Sequence, residues 1–185
     1  TGMQHLKGLP INRIDLSQSK KITDAGIEPL NDCRLLKWLG LNGTNITDKA
    51  ISGASNWPDL QRLELQGTAV TDKSLIAIKP CILLTYLDLQ ETKITDAGLT
   101  ELQGWRHLNN LHLDNTSVSD AGLTKLNGCV GLRQLTLKGT KVTEKGVRDL
   151  AAKLPDCTII FDGGVIKPLT DFELEAQSER KAAEF

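Results

Sequence analysis

The stretch Leu60–Asp72, L-Q-R-L-E-L-Q-G-T-A-V-T-D, sets a spacing of leucines, threonine and acid that returns through most of the 185-residue chain. Leu60, Leu63 and Leu65 recur as Leu84, Leu87 and Leu89, as Leu108, Leu111 and Leu113, and as Leu132, Leu135 and Leu137, a step of 24 residues. A unit of that length cannot enclose a core by itself, so it must bury its apolar residues against copies of itself, and the product is a stacked solenoid. Side chains alternate along a strand, so in x-L-x-L-x both leucines point inward while the three x positions face the other way. Behind each strand, Ile27 and Leu30, Leu75 and Ile78, Leu99 and Leu102, Leu123 and Leu126, and Val147 and Leu150 sit three apart, which gives one apolar helical face. The expected fold is an α/β right-handed solenoid, with a parallel sheet on the concave side and helices on the convex side.

The turns between strand and helix repeat as faithfully. Thr44, Thr68, Thr92, Thr116 and Thr140 form one column, where a hydroxyl can bond backbone groups as the chain turns. Next come Thr23, Thr47, Thr71, Thr95, Ser119 and Thr143, each followed by Asp24, Asp48, Asp72, Asp96, Asp120 or Glu144. This is helix-start chemistry, a capping hydroxyl with an acid in the first turn. Gly26, Ala50, Ser74, Gly98, Gly122 and Gly146 keep one helix position small, which predicts close approach of neighbouring helices. The first unit carries one extra residue between Leu16 and Ile22. Residues 1–162 thus read as about six full units and a terminal strand. Residues 163–185 read as a capping or connecting segment, helical from 171, with Thr170 and Glu173 as a capping box.

Leucine must build this core, because aromatics are only 4% of the chain. A net charge of −1 gives no electrostatic reason to expect nucleic acid or an anionic membrane as partner. No apolar run approaches the roughly 18 residues of a membrane span. Thr1–Leu9 reads as the tail of a preceding helix without the apolar run of a signal peptide, so the chain is expected to begin inside a longer protein. Cys33, Cys81 and Cys129 share one column with Trp57 and Trp105, an alternation of small and large packing groups. Cysteines two rungs apart stand about 10 Å from one another, beyond disulfide reach. Buried free thiols suit an intracellular, reducing compartment, and no cysteine or histidine spacing suggests zinc or another cofactor.

The words T-D-A-G-I at Thr23–Ile27, T-D-A-G-L at Thr95–Leu99 and S-D-A-G-L at Ser119–Leu123 resemble the leucine-rich repeats. They are most similar to a regular 24-residue bacterial type, and more distantly to the cysteine-containing repeats of F-box substrate receptors. The resemblance covers roughly residues 6–162. It implies a scaffold whose role is binding other proteins.

Function must then lie in the outward strand positions, which vary from rung to rung while the leucines do not. The first column reads Arg13, Trp38, Arg62, Tyr86, Asn110, Gln134; the middle one Asp15, Gly40, Glu64, Asp88, His112, Thr136; the third Ser17, Asn42, Gln66, Gln90, Asp114, Lys138. Aromatic and arginine side chains on an open sheet are typical interface anchors. The expected partner-binding set is therefore Trp38, Arg62 and Tyr86, with Glu64, Asp88, Asn110, His112 and Asp114 around them. The partner is expected to be a protein or peptide, and replacing Trp38 or Tyr86 is expected to leave stability unchanged. Asp88, His112 and Thr136 line up in the order of a nucleophilic triad, but an open sheet offers no oxyanion hole, so no enzyme is expected. The alternatives are a receptor fragment of the F-box type, a structural spacer, and a hydrolase using those three residues.

Overall fold

A computed structural model describes residues 3–168. Seven strands stack in parallel in chain order: β1 (Arg13–Asp15), β2 (Trp38–Gly40), β3 (Arg62–Glu64), β4 (Tyr86–Asp88), β5 (Asn110–His112), β6 (Gln134–Thr136) and β7 (Thr158–Phe161). The register follows the repeat, with Leu39, Leu63, Leu87, Leu111 and Leu135 paired in one line and Ile14 and Ile159 closing its ends. The extra residue of the first unit is absorbed in the turn that follows β1, and Arg13 still pairs with Trp38. The leucines of both inward columns from Leu39 to Leu137 are wholly buried. Fully burying one leucine is worth about 1.5–3 kcal/mol, so the repeated columns dominate stability.

The convex side is helical but made of short pieces. These are α1 (Asp24–Ile27), α2 (Asp48–Ile51), α3 (Asp72–Ile78), α4 (Asp120–Leu123) and α5 (Glu144–Ala151), together with 3-10 turns such as Glu28–Asp32, Gly98–Leu102 and Thr124–Gly128. A rung of 24 residues that also holds a strand and two turns leaves room for little more. After β7 the chain reverses through Gly163 and Gly164, the latter at φ 127°, and β8 (Gly164–Ile166) pairs with β7 antiparallel. The capping or connecting segment expected from residue 163 thus opens as a strand of the same sheet. The helix expected from residue 171 lies outside the described residues.

The threonine column behaves as expected, with Thr44, Thr68, Thr92, Thr116 and Thr140 donating to the carbonyls of Leu41, Leu65, Leu89, Leu113 and Leu137 at 2.6–2.7 Å. The acids do more than complement a helix end. Asp24, Asp48, Asp72, Asp96 and Asp120 each accept two bonds from the next rung, one from the backbone N–H and one from the hydroxyl of Thr47, Thr71, Thr95, Ser119 or Thr143. That hydroxyl in turn accepts a backbone N–H at its own helix start. Thr23 makes no side-chain cap bond among the described residues.

The small-residue column has a different cause from the one expected. A Cβ at Gly98, Gly122 or Gly146 would fall 2.1–2.3 Å from Oδ1 of Asp72, Asp96 or Asp120, whereas at Gly26 it would meet only Ile22 at ordinary contact distance. The column is small to admit the carboxylate of the preceding rung. At Ser74 the hydroxyl is wholly buried and donates to Asp48 at 2.6 Å, and this third bond is why Asp48 differs from its equivalents. Burial works to raise the Asp48 pKa, but the bonds from Ser74 and Thr71 outweigh it and hold the carboxyl below its ordinary value.

The cysteine and tryptophan column is also more than packing. Cys33, Cys81 and Cys129 direct their thiols at the carbonyls of Leu6, Ala54 and Leu102 at 3.1–3.4 Å, and Trp57 Nε1 donates to Leu30 at 2.8 Å. Each of these donors adds a second bond to a carbonyl that already accepts the backbone N–H three residues on, at the end of the preceding helical segment. Cys33, Cys81, Cys129 and Cys157 are all free and buried, and burial pushes the thiols of Cys81 and Cys129 up to about 11.

Candidate partner-binding face

The first outward column forms a stacked line along the concave sheet. Arg13 Cζ lies 3.2 Å from the centre of the Trp38 ring, Arg62 Cζ 5.6 Å from Trp38 and 3.6 Å from Tyr86, and the Tyr86 ring 5.1 Å from that of His112. Parallel strands about 4.8 Å apart put these side chains at the separation at which guanidinium and aromatic faces stack. Arg62 therefore sits between Trp38 and Tyr86, as the column order suggests. Asn110 continues the line and donates to Gln134 at 3.0 Å.

The middle column is not the solvent-facing stripe that alternation predicts. Glu64, Asp88, His112 and Thr136 are only 5–8% exposed. Each has register partners on both adjacent rungs, and first-column side chains add contacts, Arg62 on Glu64 and Tyr86 on His112. Glu64 is the hub: it accepts from Trp38 Nε1 at 3.0 Å, from Asn42 Nδ2 at 2.9 Å and from Arg62 Nε, with which it is ion-paired. Trp38 is consequently tied to a buried carboxylate, and the expectation that its loss leaves stability unchanged is corrected. Asp114 lies apart in the third column, where it accepts the Lys138 N–H at 2.8 Å.

Asp88 and His112 occupy adjacent rungs without a hydrogen bond between them among the described residues. Asp88 accepts the Gln90 N–H at 3.1 Å, and His112 Nδ1 stands 3.3 Å from Thr136 Oγ1. Burial raises the Asp88 pKa, partly offset by the Gln90 bond and by His112. Burial lowers that of His112, with Asp88 and Asp114 opposing it and Arg62 assisting. A neutral imidazole bonded to a threonine and packed on Tyr86 supports the wall of the face. In a triad the acid would instead hold the imidazole nitrogen opposite the nucleophile.

No helix among the described residues is long and apolar enough to cross a membrane. No curated protein matches the chain in sequence. A family profile described as "Leucine Rich repeat" matches residues 81–102, the rung that carries β4. An internalin (inlF) from Listeria monocytogenes superposes with a TM-score of 0.61 at 25% identity over 72% of this chain. The chain has the leucine-rich-repeat fold. It spans only 36% of that internalin. An internalin C2 (inlC2) from the same organism shares the fold, with a TM-score of 0.58 at 22% identity, covering 81% of this chain and 70% of the internalin. Leucine-rich repeats are generally binding modules, and the stacked line and its carboxylate hub lie on the concave sheet of this one.

Proposed function

We propose that this leucine-rich-repeat chain is a protein-interaction module without catalysis of its own, taking a protein or peptide partner on its concave sheet. The observation that carries the reading is the continuous stack Arg13, Trp38, Arg62, Tyr86, which keeps large amphipathic side chains partly exposed and already immobilised. Pre-ordered aromatic and arginine side chains lose little rotamer freedom on binding, so their contact energy goes into affinity. In this reading Trp38, Arg62 and Tyr86 make the contacts, Glu64, Asp88 and His112 hold them in place, and Asn110 and Asp114 flank them. Residues 1–162 form the binding solenoid and residues 163–185 its cap or connector.

The test is capture of a partner on the immobilised chain, followed by titration of that partner against variants. Trp38→Ala or Tyr86→Ala should cost on the order of 2 kcal/mol in binding, with the folded fraction checked in parallel. Substitution of Lys73 or Lys145 on the convex side should change little. A partner that survives the Trp38, Arg62, Tyr86 triple alanine variant but is lost on convex substitutions would place the interface on the other face. A spacer would show no preference for the concave side.

A further inference from the structure

Among the outward positions, Arg13 is chemically unfinished. It is exposed, its guanidinium lies face-on over Trp38, and among the described residues it donates no hydrogen bond and joins no ion pair. Stacking occupies the face of a guanidinium and leaves its edge of N–H donors free, and that edge matches a carboxylate in two parallel bonds. Across Trp38 stands Arg62, whose Nε is committed to Glu64 while, among the described residues, its terminal nitrogens hold no carboxylate. Arg13, Trp38 and Arg62 together line a shallow depression at the β1 end of the concave sheet.

From this geometry we infer that the depression seats a carboxylate side chain of an acidic peptide segment, held by the edge of Arg13 and assisted by Arg62. The inference rests on the concave-face reading and names the chemistry of its partner. A single negative charge is the better match, because Asp15 and Glu64 already stand on the same three rungs, with Asp88 on the next, and would repel a dianionic phosphate. Asp15 accepts the N–H of Ser17 in its own turn and forms no ion pair with Arg13 among the described residues. Trp38 serves as floor: its indole N–H is fixed on Glu64, so the ring keeps both guanidinium groups in place before the ligand arrives.

The test uses three short acetylated peptides, one alternating Glu and Ser, one with Gln for each Glu, and one with phosphoserine for each Glu. Binding is followed by NMR at the Arg13 and Arg62 Nε–H and Trp38 indole N–H signals. The Glu peptide should move these three signals and bind more weakly as salt is raised, and Arg13→Met, which keeps the apolar stem over the ring, should weaken it by about 10-fold. The inference is overturned if the Gln peptide moves the same signals equally, if phosphoserine binds more tightly than Glu, if Arg13→Met has no effect, or if the shifts fall elsewhere. A captured partner that is lost on the triple alanine variant but indifferent to Arg13→Met would sink this inference and leave the concave reading standing. Binding of the Glu peptide at Arg13, with a captured partner that ignores the whole face, would do the reverse.

Discussion

Replacing Asp48 with alanine should be the most damaging change in the aspartate ladder. The carboxylate accepts from Thr71 N–H at 2.8 Å, Thr71 Oγ1 at 2.7 Å and Ser74 Oγ at 2.6 Å. Hydrogen bonds to a charged group are worth roughly 1.5–3 kcal/mol each, and a buried donor left alone costs about 1–3 kcal/mol. Ser74 is wholly buried and has no access to water, whereas the Thr71 groups are partly exposed and recover some hydration. The expected loss for Asp48→Ala is therefore about 3–5 kcal/mol. Asp24→Ala removes the equivalent pair of bonds to Thr47, but those are exposed and Ala50 stands where Ser74 would, so about 1–2 kcal/mol is expected there. Urea unfolding followed by circular dichroism measures both, with the slope checked because a repeat array can lose cooperativity. Asp48 also has a lowered pKa, so its contribution is fully present above the unfolded value near 3.8 and is lost as pH falls through the lower folded value. Asp48→Ala should flatten that acid limb. If Asp48→Ala costs no more than Asp24→Ala, the buried Ser74 bond adds nothing to stability and the reasoning fails.

Three further predictions follow from the same geometry. His112 resists protonation in the folded chain while an unfolded histidine titrates near 6.5, so the unfolded state binds more protons and stability should fall as pH drops below that value; His112→Gln should remove this slope in denaturation at pH about 7.5 and 5.5. Glu91 holds φ 56° at a turn position where Gly43, Gly67 and Gly139 hold 64–66°, so Glu91→Gly should stabilise by roughly 0.5–1 kcal/mol, and a lower urea midpoint would refute the strain argument. Trp38→Ala should cost about 1–2 kcal/mol of stability because it strips a donor from the buried Glu64, whereas Trp38→Phe should recover the stacking but not the bond.

The sequence by itself determined the architecture, because a strict step of 24 residues with two inward leucines permits only stacking, and stacking fixes register. It also determined which residues share a column, and so set Trp38, Arg62 and Tyr86 side by side. Only the tertiary structure decided what the columns do to one another. Asp96 and Gly122 read separately as a cap and a packing glycine, yet the carboxylate of one rung fills the space left by the missing Cβ of the next. Glu64, Asp88 and His112 read as solvent-facing from alternation, yet they are walled in, because alternation gives a direction and burial depends on how far the flanking side chains fold over. Arg13 carried no signal beyond its column. Its place over Trp38, with its hydrogen-bonding edge uncommitted, depends on rotamers and distances between rungs, and a one-dimensional pattern does not encode these.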